Sequence, residues 1–173
     1  MKRRFKRLLT ICMLVGLFAQ TTALSASTAS TYDPERGYLV SSVRTAQEDG
    51  SYTVENIYTN HSPDFYSGRI YGTDTFRKIT EQYTAKDTLI IQYEVAATFD
   101  WSTNTQITRV YNTSGKVLYQ ASGKLSHESI FSEGSESCKS NVVYRFLRTT
   151  DSGALEDYLI TLSCDYHGRT ESP

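Results

Sequence analysis

Between residues 89 and 101 the chain alternates. The odd positions read Leu89, Ile91, Tyr93, Val95, Ala97, Phe99 and Trp101, and the even ones from 92 read Gln92, Glu94, Ala96, Thr98 and Asp100. A period of two sustained over this length describes a strand with one face in a core; a helix would repeat its apolar residues every three to four positions. We read this segment as the central core strand, and its length predicts a bend or bulge within it.

Turn chemistry places the neighbouring strands. Residues 38–45 and 51–58 flank Glu48, Asp49 and Gly50, and the Asp-Gly step predicts a hairpin. Residues 107–111 and 117–120 flank Asn112-Thr113-Ser114-Gly115, which has the composition of a type I turn followed by a left-handed glycine and predicts a second hairpin. Residues 141–148 and 155–164 predict a third across the turn-rich 149–154 stretch. Residues 75–84 read two ways. Phe76, Ile79 and Tyr83 recur at helical spacing behind Asp74 and Thr75, which are good helix caps, yet Thr and Tyr favour strands, and the strand is the preferred reading. Residues 126–137 read as a polar loop.

The first thirty residues have a different character. Five Lys and Arg precede residue 8, an apolar run extends from Leu8 to Ala19, and small residues crowd Ala23 to Ser30. This is the layout of a secretory signal peptide. The run falls short of the roughly 20 residues that span a bilayer. Residues 1–30 are therefore expected to be cleaved as a signal helix, leaving residues 31–173 as a single secreted, extracellular domain with no membrane span. Cleavage changes the charge. All 19 Asp and Glu lie beyond residue 30, against 13 of the 18 Lys and Arg, so the mature chain carries about −6. Such a chain repels nucleic acid, whose binding draws on Lys and Arg neutralising phosphates.

Cys12 lies inside the leader, preceded by Ile11 where a lipoprotein signal would carry a small residue. Cys138 and Cys164 remain, and an even pair in an oxidising compartment predicts one disulfide. Two cysteines so far apart do not have zinc-site spacing, and no metal or other cofactor is expected. If Cys138 faces Cys164, Val142 falls opposite Ile160, Tyr144 opposite Tyr158 and Arg145 opposite Asp157. The cysteines then share a face with Val142, Tyr144, Phe146, Tyr158, Ile160 and Leu162.

Residues Val95-Ala96-Ala97-Thr98-Phe99-Asp100-Trp101, followed by Tyr158 to Cys164 and Asp165-Tyr166-His167-Gly168, resemble the pattern of small secreted uncharacterised proteins of Gram-positive bacteria. The likeness covers roughly the second half of the chain. It implies a β-sandwich and a bacterial source, and it carries no activity. Together with the strand pattern it predicts an all-β chain, a single antiparallel β-sandwich of immunoglobulin-like or similar form.

Catalytic motifs are sparse. The chain lacks a Gly-x-Ser-x-Gly elbow, a phosphate loop and a calcium loop, and His127-Glu128 starts a zinc-protease motif that fails at Phe131. His61 with Asp64, and His167 with Asp165, could form acid/base or ligand pairs, and we read them as solvated loop residues. The aromatics point to binding. Residues 65–72 set Phe65, Tyr66 and Tyr71 around Arg69, between Gly68 and Gly72 and outside any strong strand. Tyr and Arg are enriched at interfaces, and loops carry function disproportionately. Tyr66, Arg69 and Tyr71 are the candidate binding residues. The expected function is a secreted non-catalytic binding domain acting at or outside the cell envelope on an extracellular or cell-surface protein or glycan. The alternative is a secreted hydrolase or toxin with a site assembled from dispersed His, Asp and Ser.

Overall fold

A computed structural model describes residues 31–62, 68–134 and 136–170. The chain is all-β, with nine strands among the described residues. They are β1 (Tyr32–Asp33), β2 (Gly37–Ala46), β3 (Tyr52–Thr59), β4 (Tyr71–Tyr83), β5 (Leu89–Ser102), β6 (Ile107–Gln120), β7 (Lys124–Glu133), β8 (Lys139–Thr149) and β9 (Leu155–Asp165). Strands β1 to β6 form one antiparallel sheet in sequence order, and β7 to β9 form a second. The smaller sheet packs mainly over β5 and β6, giving a β-sandwich. Every hydrogen-bonded neighbour is also a neighbour in sequence, so the two sheets are meanders without the Greek-key crossings of the immunoglobulin arrangement.

The alternation in β5 does what its period dictates. Ile91, Tyr93, Val95, Ala97, Phe99 and Trp101 are all buried, facing Val142, Tyr144 and Phe146 of β8 and Tyr158, Ile160 and Leu162 of β9. Phe146 stacks on Tyr158 with ring centres 4.8 Å apart, and Tyr93 meets Phe146 edge-on at 5.1 Å. The hairpin between β2 and β3 forms as expected, with Asp49 accepting hydrogen bonds from Ser51 at the turn.

Residues 71–83 are strand, not helix. The helical spacing arises because β4 is covered on both faces. Phe76 points inward beside Ala97, while Ile79 points outward beside buried Glu94, and each is 1% exposed. Glu94 is tolerated there because Arg77 and Lys116 bridge its two oxygens, each at 3.5 Å.

Three expectations are corrected. Residues 112–115 do not turn the chain; β6 runs through them and pairs with β5 along its length, with a bulge opposite Ala97. Asn112 takes the extra residue with φ at 52°, a left-handed conformation that Asn tolerates better than most residues. Gly115 serves packing instead: a Cβ there would lie 2.3 Å from the Tyr144 ring. Residues 126–137 are also not all loop, since β7 extends to Glu133. That strand shows no apolar alternation because it is an edge, with only Leu125 and Ser129 half-buried.

The third correction concerns the register of β8 against β9 and, with it, the disulfide. Val142 lies opposite Leu162, Tyr144 opposite Ile160, Arg145 opposite Leu159 and Phe146 opposite Tyr158, two residues away from the expected pairing. An even offset keeps every side chain on its expected face. The turn sets the register: Thr150 N donates to Ala154 O and Gly153 N to Thr150 O, with Gly153 at φ 83°. Cys164 therefore faces Ser140, and Cys138 lies before β8, its carbonyl accepting from Tyr166 N. The two cysteines are unbonded, Cys138 exposed and Cys164 buried. Arg145 still reaches Asp157, now on the diagonal, through two hydrogen bonds of 2.9 and 2.5 Å that hold the Asp157 carboxyl below its usual range.

Burial, followed by the nearby Asp165 and Asp74 carboxylates, pushes the Cys164 thiol far above its usual value. Thiolate is the reactive form. Iodoacetamide at pH 8 should therefore label Cys138 in the folded protein and Cys164 only after unfolding, as read by peptide mass spectrometry. Equal labelling of both, or of neither, in the native state would contradict the arrangement.

Candidate functional site

At one end of the sandwich the Trp101 indole is held between two glycines. Gly72, its partner across the sheet, and Gly168, past the end of β9, approach so closely that a Cβ would lie 2.7 and 2.5 Å from the ring. A buried indole N–H needs an acceptor. Asp74, fully buried in β4, supplies one oxygen to it, and its other oxygen lies 2.7 Å from His61 Nδ1. The His61 ring is about a quarter exposed, at 27%. Asn60 fixes the approach of this segment by accepting from Thr75 N at 2.9 Å.

Gly168 belongs to a tight turn after β9. The Asp165 carboxylate accepts from the backbone N–H of both His167 and Arg169 at 2.9 Å, and Asp165 N donates to Arg169 O. Gly168, at φ 74°, packs inward on Trp101, which leaves His167 and Arg169 exposed on either side of it. Beside this turn lies a cleft of about 460 Å³ lined by Val40, Arg69, Phe76, Thr103, His167, Arg169 and their neighbours. Thr103 donates twice to Ile70 O, tying the segment that carries Arg69 to the β5–β6 turn. Tyr71 starts β4 opposite Ser102, next to Thr103, and is 70% exposed.

Two of the three candidate binding residues thus come together at the same end of the fold, Arg69 in the cleft and Tyr71 beside it. Tyr66 lies outside the described residues, as does Asp64, the expected partner of His61. Within the described residues, His61 Nδ1 lies on Asp74. The His167 and Asp165 pair is a backbone turn contact, and the His167 ring packs on Tyr166 at 4.1 Å. His127 is exposed on β7, and Glu128 accepts from the Tyr144 hydroxyl. Sequence reasoning missed Asp74, Trp101, Arg169 and Thr170. Asp74 was legible only as a helix cap, because its partners come from β5 and the β3–β4 connection.

Among the described residues no group of His, Cys, Asp and Glu is arranged to hold a metal ion, and no helix is long and apolar enough to cross a membrane. The chain matches no family model, no curated protein and no solved structure.

Proposed function

We propose that this is a secreted, non-catalytic binding domain of a Gram-positive bacterium, acting at or outside the cell envelope on a protein or glycan partner. The observation that carries the reading is the convergence of Arg69, His167 and Arg169 on one open cleft, with Tyr71 exposed beside it. Arg and Tyr are the residues that anchor interfaces. They are presented here by a rigid scaffold, the Trp101 lock beneath and the Asp165 turn beside it.

Secretion rests on the leader. The exported protein should begin between about Ala23 and Thr31, which intact-mass measurement of culture supernatant reads directly. Binding is tested by retention on an isolated Gram-positive cell-wall preparation. The secreted protein should be retained, and an Arg69→Ala, Tyr71→Ala variant should be lost to the wash, with its melting temperature within a few degrees of wild type because both side chains are exposed and exposed substitutions cost little. A large fall in melting temperature would place these residues in the core and remove the reading.

The hydrolase alternative has one observation in its favour. His61 sets Nδ1 on a buried carboxylate, the arrangement of the orienting half of a catalytic triad. It requires that the wall preparation release soluble fragments and that His61→Ala stop the release. A protein that is retained and releases nothing is a binder.

A further inference from the structure

We propose that the cleft beside the 165–170 turn takes a small ligand with one oxyanion head, carboxylate or phosphate, on an apolar stem. This rests on the binding reading above and gives it a ligand chemistry. Three features of the same cleft support it. The first is charge: Arg69, His167 and Arg169 line it together, and guanidinium groups meet carboxylate and phosphate oxygens with two parallel hydrogen bonds. The Arg169 backbone is held by the Asp165 carboxylate, so the turn fixes where its side chain leaves the main chain. The second is shape. Val40 and Phe76 give the cleft an apolar wall, and about 460 Å³ lies within the range of roughly 300–1,000 Å³ typical of small-molecule sites.

The third is an orphan donor. Thr170 lines the cleft, and its hydroxyl is buried with no hydrogen-bond partner among the described residues. A buried hydroxyl without a partner is costly, and rotation of the Thr170 side chain toward the cleft would let an oxyanion accept from it. The charge of the rest of the chain limits the size of the ligand. Residues 31–173 carry 19 acidic against 13 basic side chains, so a long polyanion leaving the cleft would run over a repelling surface, whereas a single head meets only the local cations.

The test titrates the secreted protein with octanoate and octyl phosphate, using octanol as the stem without a charge and acetate as a charge without the stem. Calorimetry gives affinity, and backbone amide shifts give location. At least one of the two amphiphiles should bind about tenfold or more tighter than both controls, with shifts at Thr103, Gly168, Arg169 and Thr170, and the tighter head identifies the source of the oxyanion. Arg169→Gln and Thr170→Val should weaken that binding, the former by about tenfold. Lys124→Gln, at the other end of the smaller sheet, should not. Octanol binding as tightly as the amphiphiles, or an unchanged affinity in Arg169→Gln, overturns the proposal. If neither amphiphile binds while wall retention still depends on Arg69 and Tyr71, the ligand class is wrong and the binding reading stands. If an amphiphile binds as expected and retention ignores Arg69 and Tyr71, the ligand chemistry stands and the wall partner falls.

Discussion

Asp74→Ala should lower stability by roughly 3 kcal/mol, which for a domain of this size is a fall of about 10 °C in melting temperature. The carboxylate is fully buried and receives the Trp101 N–H on one oxygen and His61 on the other. Its removal takes away the carboxylate that the indole N–H donates to, opens a void between β4 and β5 and breaks the contact to His61, and a buried group stripped of such a bond costs more than the bond itself was worth. Trp101 is the only tryptophan in the chain, so intrinsic fluorescence reports this site alone. Its emission should shift to the red in the variant before any global unfolding. Asp74→Asn should recover much of the loss, because the amide oxygen can accept from the indole while the amide nitrogen faces His61. An alanine variant as stable as wild type, with unchanged emission, would mean that the lock holds nothing.

Glu55→Ala should cost a similar amount, about 3 kcal/mol, for the opposite electrostatic reason. Lys78 lies on the inward face of β4 and is 1% exposed, and its ammonium reaches Glu55 on β3 at 3.0 Å. The two partners are unequal. The Glu55 side chain is 24% exposed and touches water, whereas Lys78 depends on Glu55 to offset its desolvation. Removing the acid strands a buried cation. Removing the cation leaves an acid that water can still reach. Lys78→Met, which keeps the length and shape of the stem, should therefore change stability by less than about 1 kcal/mol, and the Glu55→Ala, Lys78→Met double variant should regain most of the loss. Urea titration of the four proteins forms a complete double-mutant cycle. Additive losses would show that the two side chains are energetically independent.

Sequence patterns carried the fold wherever one face alone was buried. The β5 alternation and the β2–β3 hairpin follow from period and turn residues that act over a few positions. At β4 they allowed both strand and helix, because Ile79 is buried on the face opposite Phe76, and the preferred strand is what forms. They failed where long-range packing decided the outcome. Gly115 looked like a turn glycine, and its reason is a Tyr144 ring arriving from the other sheet. The β8–β9 faces were legible because parity survives an even slip; the register was not, because the 150–154 turn and the cysteines pointed to pairings two residues apart. Half of the candidate patch was legible as Arg69 and Tyr71, since loop aromatics and arginines can be recognised locally. The Asp74, Trp101 and Gly168 lock draws on three distant segments, and no window of sequence contains it.

The meander order sets the sequence in which the molecule can be completed. Each sheet is built from strands that are neighbours in sequence, so each pairing can form as soon as its second strand is available. The cleft is the exception. It brings Val40 of β2 together with Arg69, Thr103 and the turn after β9, and so joins early segments to late ones. Closing so long a loop costs more chain entropy than any hairpin in the fold, and on that ground the cleft is expected to acquire its shape last. Ligand affinity would then report full maturation: a chain with both sheets formed but the final turn undocked would look folded to circular dichroism and still be unable to bind.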